Sequence, residues 1–149
     1  MKKKSFAYQF YHTTEEAWDA MYQALLTATK SIYWEVYVFI DDSVGERFIT
    51  ALSDKARAGI EVKLVVDAIG SFGLSRVGIE RLRSAGVEVL IYNRLYPGIK
   101  IYSWVSRIFR RNHRKVLIID EEIVFLGGVN IDAHFHNWDD VYLKIMGKV

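Results

Sequence analysis

Cysteine is absent from this chain, which removes disulfide bonds and thiolate chemistry together and fits a protein at a cytosolic face. Proline is nearly absent too: Pro97 alone, beside ten glycines, leaves room for regular elements joined by short turns. No apolar run reaches the ~20 residues that a spanning helix needs. The basic start, Lys2-Lys3-Lys4, is not followed by an apolar stretch, so no signal peptide is expected. Any membrane contact is expected to be peripheral, on the cytoplasmic side, or to use a segment outside these residues. Charge of one sign is scarce as well. The net charge of +2 is too small to imply nucleic-acid binding by itself.

What remains is a folding composition. Hydrophobic residues make up 51% and charged residues 26% of 149 positions, enough for one domain with a packed core and too few for two. The whole of 1–149 is therefore read as a single domain, with its core at about 10–147. Thr13 and Glu16 make a capping box for an amphipathic helix over 13–29. The aromatic, β-branched run Ser31 to Ile40 predicts a strand with Glu35 in its middle, a carboxylate that needs a partner if buried. Ser43 and Glu46 suggest a second capping box and a helix to about Ala58, closed by Gly59. A strand at Glu61 to Asp67, a helix at Ser75 to Ala85 and a strand at Val87 to Tyr92 follow. This alternation predicts an α/β fold with a central mixed, mostly parallel β-sheet flanked by helices.

The rhythm breaks at 93–112. There Ile101, Tyr102, Trp104, Val105, Ile108 and Phe109 interleave with Lys100, Arg107, Arg110 and Arg111. The pattern describes either an interfacial amphipathic segment or a surface element packing its apolar side on the sheet. Arg107 to Lys115 is basic enough to suit a phosphate-bearing partner, lipid headgroup or nucleic acid, or to be a solvated basic face.

The most informative stretch is Asn112-His113-Arg114-Lys115 running into Val116 to Asp120, then a turn at Glu121-Glu122, a strand over 123–126 and Gly127-Gly128-Val129-Asn130. Read as extended chain, His113 and Lys115 share a face and stand roughly 6.5–7 Å apart, a spacing that suits two groups gripping one phosphate. Asp120 has the opposite parity, which makes it a structural anchor. A nucleophilic imidazole needs its ring oriented, and a carboxylate can do that. Asp140 is the best candidate by position and Asp139 the second. Lys115 supplies positive charge, Asn130 a neutral donor, and Gly128, after Gly127, lets backbone approach a phosphoryl group. His134 and His136 with Asp132, Asp139 and Asp140 could in principle ligate a metal. His-x-His in a loop is a weak signal, so no metal is expected.

The series His113-x-Lys115-x₄-Asp120 followed by Gly127-Gly128-x-Asn130 resembles the HKD motif of the phospholipase D superfamily. Its flanks, Arg111-Asn112 before and Val129-Asn130-Ile131 after, look most like the cardiolipin synthase branch. Ile32 to Asp41, Gly59 to Asp67 and Trp138-x-Asp140 extend the likeness over about residues 10–147. The resemblance implies a phospholipase D-like half-domain, transfer of a phosphatidyl group through a phosphohistidine intermediate, and no cofactor. It implies that His113 is nucleophile or acid, that Lys115, Asn130 and Gly128 hold phosphate, that Asp140 orients His113, and that Asp120 belongs to the motif. Phosphatidylglycerol would be the phospholipid substrate, met at a membrane surface. Such enzymes use two HKD motifs per site, and this chain holds one. A homodimer or a missing C-terminal half must supply the second. A homodimeric nuclease and a non-catalytic phospholipid-binding module are the alternatives, with the apolar side chains of 101–111 favouring lipid over nucleic acid.

Overall fold

The computed structural model describes residues 6–93 and 112–147. The expectations for the apolar–arginine segment of 101–111 lie outside the described residues. Seven strands and three helices appear in the order β1 (Ala7–Thr13), α1 (Thr14–Thr27), β2 (Ser31–Val36), α2 (Gly45–Arg57), β3 (Glu61–Asp67), α3 (Arg76–Ser84), β4 (Glu88–Tyr92), β5 (Val116–Ile119), β6 (Ile123–Gly127) and β7 (Asp139–Met146). The strands form one sheet in the order β1-β7-β6-β5-β2-β3-β4.

The sheet is mixed, as expected, but it is not mostly parallel. Only β2–β3 and β3–β4 run parallel, whereas β1–β7, β7–β6, β6–β5 and β5–β2 are antiparallel. The reason is local. β5 and β6 are joined by a turn too short for a crossover, so that part of the sheet must be antiparallel. Asp120 (φ 55°) and Glu121 (φ 58°) both adopt left-handed conformations there, and Glu122 N–H donates to Ile119 O at 3.0 Å. The turn thus centres one residue earlier than its two glutamates suggest. β1 was invisible to pattern reading because it is an edge strand whose Tyr8 and Phe10 point outward, giving no buried alternation.

Burial alternates along the central strands. Ile32, Trp34 and Val36 of β2 and Val62, Leu64 and Val66 of β3 are buried, on the face that packs with Trp18, Met21 and Leu25 of α1, Phe48 and Leu52 of α2 and Leu82 of α3. Apolar side chains on a period of two facing others on a period of 3.6 make the core. β2 ends at Val36, short of the expected Ile40, because its ladder with β5 stops at Glu35 and that with β3 stops at Val36. Beyond it the chain bends, keeping a single bridge from Phe39 to Ile131.

Two helix starts test the capping boxes. Thr13 caps α1 by accepting from Glu16 N–H at 3.3 Å. Ser43 does not cap α2. Asp42 takes that role, its Oδ1 accepting from Val44 and Gly45 N–H at 2.9 and 3.0 Å, while its Oδ2 accepts from Ala133 N–H at 2.6 Å. With two oxygens, the Asp42 carboxyl can serve the helix start and also tie it to the short 3₁₀ turn Ala133–Phe135, which a single hydroxyl could not do.

Asp120 is the tightest fastening in the sheet. Its Oδ2 accepts from the Thr29 N–H and hydroxyl, both at 2.8 Å. Its Oδ1 accepts from Lys30 and Ser31 N–H at 2.7 and 2.9 Å. Its own N–H donates to Ser31 O at 2.9 Å. Burial alone would push this carboxyl up, but the hydrogen bonds from Ser31, Lys30 and Thr29 outweigh it and bring the pKa from 3.8 down to about 2. A depressed carboxyl contributes stability that is complete above its unfolded value and lost as pH falls through its folded one. We therefore expect Asp120→Asn, which keeps the left-handed backbone comfortable, to lower the unfolding free energy by roughly 1–3 kcal/mol. In denaturation series the wild-type chain should lose stability between pH 4 and 2 by an increment that the Asn variant lacks.

Candidate active site

The topology brings the candidate residues to one edge of the sheet. The carboxyl ends of β2, β3 and β4, the start of β5, the end of β6 and the start of β7 all lie there, because β5 and β7 run opposite to β2. His113 and Lys115 precede β5, Gly128 and Asn130 follow β6, and Asp140 opens β7. Asp120 is at the other end of β5, roughly 17 Å from Lys115 at 3.3 Å per residue. With its carboxylate spent on the Thr29–Ser31 backbone, Asp120 belongs to the scaffold.

Strand parity does not explain how His113 and Lys115 meet, because residues 112–115 are irregular and β5 begins only at Val116. Tyr37 joins them instead. The exposed His113 ring stacks on the Tyr37 ring with centroids 4.1 Å apart and planes 20° apart. Lys115 Nζ lies 5.5 Å from the same ring's centroid and donates to His113 O at 3.2 Å. Burial lowers the Lys115 pKa, and the charge of Asp140 pulls it back up. A partly desolvated ammonium gains more from an arriving anion than one in open water.

Asn112 fixes the backbone on both sides of His113. Its side-chain amide donates a short hydrogen bond to Glu35 Oε1, its N–H donates to Asp67 Oδ2 at 3.4 Å, and its Oδ1 accepts from Arg114 N–H at 3.3 Å. Glu35 thus has the partner its place in a strand demanded. A cleft of about 640 Å³ opens beside it, lined by Glu35, Tyr92, Asn112, His113 and Arg114 among others.

The remaining candidates divide. Asn130 Oδ1 accepts from Val38 N–H at 3.2 Å, leaving its Nδ2 without a hydrogen bond among the described residues. Asp140 Oδ1 accepts from Val141 N–H at 2.7 Å. No hydrogen bond or ion pair links Asp140 to His113 among the described residues; its neighbours are Lys115 and Gly128. A Cβ on Gly128 would stand 2.8 Å from Asp140 Cγ, and one on Gly127 2.9 Å from Tyr142 Cα. The glycine pair therefore makes room for β7. His136 Nδ1 lies 3.2 Å from Glu15 Oε1, and His134 sits against the rings of Phe135 and Trp138. Among the described residues no His, Asp and Glu gather as metal ligands.

Sequence reading missed Tyr37 as a site residue and gave Asn112 no role of its own, while the position of Asp67 at the carboxyl end of a strand did point to the ligand side of the sheet. Parity offered one signal for the first: Tyr37 is two residues beyond Glu35, so both fall on one side of an extended chain. The Lys115–Asp140 relation is directly measurable. Asp140→Asn removes a charge that raises the Lys115 pKa, so the side-chain resonances of Lys115 should titrate at lower pH in that variant; an unchanged midpoint would contradict the arrangement.

The domain family described as "Cardiolipin synthase, PLD-like domain" matches residues 21–143. The chain is 38% identical over 144 residues to a cardiolipin synthase of Clostridium perfringens, covering 92% of this chain and 29% of that protein. Among solved structures, NucT from Helicobacter pylori superposes with a TM-score of 0.70 at 22% identity, over 95% of this chain and 86% of that one. Nuc from Salmonella typhimurium, a phospholipase D family member, gives 0.70 at 21% identity, over 97% and 85%. At such identities these two report the fold.

Proposed function

The chain belongs to the phospholipase D-like domain family of cardiolipin synthases, and from that premise we propose that it supplies one half of a composite active site for phosphodiester transfer on phospholipids. The observation that supports this reading is the cluster at the sheet's carboxyl end: His113 and Lys115 meet on Tyr37, Asp140 faces Lys115, and Asn130 holds the N–H of Val38, next to Tyr37. Cardiolipin synthesis from phosphatidylglycerol is the reaction the similarity favours.

In the proposed reaction one imidazole, that of His113 or of the second motif, attacks phosphorus and the bond to the leaving alkoxide breaks. The histidine facing it protonates that alkoxide. An acceptor hydroxyl then gives its proton back to the second histidine and attacks phosphorus, breaking the P–N bond and restoring both rings. Lys115 meets the phosphoryl oxygens with positive charge and Asn130 Nδ2 with a neutral donor, so no cofactor is called for. The charge of Asp140 favours the protonated form of Lys115, and by its position before the last strand Asp140 is the carboxylate assigned to orient a motif histidine once the site is complete.

The chain spans 29% of the length of the synthase it matches, so the second motif is assigned to a further half of the enzyme or to a second copy of this chain. No helix among the described residues is long and apolar enough to cross a membrane. Contact with phospholipid is therefore proposed to occur at a membrane surface, on the cytoplasmic side.

The test uses the assembly that carries both motifs, given phosphatidylglycerol vesicles. His113→Ala and Lys115→Ala should each lower turnover by at least about a hundredfold, whereas Asp120→Asn should keep its rate per folded molecule. Full activity in His113→Ala would overturn the assignment. Cleavage of nucleic acid, with affinity falling steeply as salt rises, would favour the nuclease reading instead.

A further inference from the structure

The histidine at the centre of the site is exposed, and an exposed imidazole ordinarily samples several rotamers. The backbone beneath it is fixed by Asn112, which holds Asp67, Glu35 and Arg114 N–H. What remains free is the ring. Its nearest partner is the face of Tyr37, 4.1 Å between centroids.

Tyr37 is itself built in. Its carbonyl accepts from the Ser71 hydroxyl at 3.0 Å, and Ser71 Oγ in turn accepts from Phe39 N–H at 2.9 Å. Ser71 is buried, and the Asp67–Ser71 loop is closed on Asp67, whose Oδ1 accepts from Ile69 and Gly70 N–H at 3.0 Å each. Gly70 packs under the tyrosine so closely that a Cβ there would stand 2.8 and 2.9 Å from Tyr37 Cε2 and Cδ2. Tyr37 thus meets Gly70 at one edge and stacks on His113, with Lys115 Nζ over the same tyrosine ring.

We propose that Tyr37 is a positioning residue, an aromatic platform that fixes the plane of the His113 imidazole and gathers Lys115 beside it. The proposal rests on the reading of His113 as a reacting group. A flat stack suits that chemistry, since it covers one face of the imidazole and leaves both ring nitrogens at the edge, one for phosphorus and one for a hydrogen-bond partner. The platform uses the ring and not the phenol hydroxyl, so phenylalanine should serve.

The experiment compares Tyr37→Leu and Tyr37→Phe in the two-motif assembly turning over phosphatidylglycerol, with His113→Ala alongside. Tyr37→Leu should lower kcat by about ten- to a hundredfold with KM within about twofold, the size of loss that a misplaced reacting group produces. Tyr37→Phe should restore kcat to within about threefold of wild type, because its ring stacks equally well. In histidine-labelled protein the His113 ring protons should lose their aromatic shielding in Tyr37→Leu and keep it in Tyr37→Phe. Should Tyr37→Leu fail to fold, Tyr37→Met, which fills a similar volume without a ring, replaces it with the same expected kcat loss and resonance shift. Wild-type kcat and unmoved His113 resonances in Tyr37→Leu, with His113→Ala inactive, would overturn the platform and leave the function standing. An active His113→Ala would instead overturn the function.

Discussion

The register of β5 against β2 is the constraint on which the site depends, and Asp120 holds it. The carboxylate and N–H of Asp120 grip the Thr29–Ser31 backbone, where β2 begins. From there the pairing runs Ile32 with Ile119 to Glu35 with Val116. Beyond Val36 and before Val116 both chains leave the ladder, and there the His113 ring stacks on Tyr37. A slip of one residue would reverse which side chains face the core and would break the stack of His113 on Tyr37. Asp120 thus supports the proposed reaction centre from the far end of a four-residue strand, by geometry alone.

The electrostatics of the edge follow from the same arrangement. β7 returns antiparallel to β6, so Asp140 arrives beside Lys115, and glycine at 128 is what lets the carboxylate come that close. Burial disfavours the lysine's charge while Asp140 favours it, a balance that keeps a cation partly out of water and ready for an anion. Glu35 and Asp67 are occupied by Asn112, so these acids brace the backbone before His113. Half of the proposed phosphodiester-transfer site would therefore be held in place by this chain's own contacts, with a second histidine to come from the proposed partner.

Much of this was legible in the sequence because it depends on local rules. The helix starting after Thr13, the strand Glu61–Asp67 and the helix capped by Ser75 follow from capping residues and apolar period, and each lies where expected. The structural role of Asp120 could also be inferred, although by a parity argument whose premise held only from Val116 onward. Other features depend on tertiary context. The edge strand β1 buries little and so carries no pattern; the antiparallel pairing of β5 with β6 was legible in the turn at Glu121-Glu122, whereas its extension through β7 to β1 was not. The cap of α2 went to Asp42 because Ala133, distant in sequence, needed the same carboxylate. Tyr37 looked like one more core aromatic of a strand, and only the end of β2 at Val36 frees it to meet His113.

On the proposed function, His113 shares in covalent phosphoryl transfer within a two-motif site. The most direct test is a rapid denaturing quench of the assembled enzyme during phosphatidylglycerol turnover, at a pH that preserves the P–N bond, followed by peptide mass analysis. A phosphatidyl adduct is expected on a motif histidine and is expected to be absent from the His113→Ala variant. An adduct formed in equal yield in that variant, or turnover with no histidine adduct at all, would contradict it.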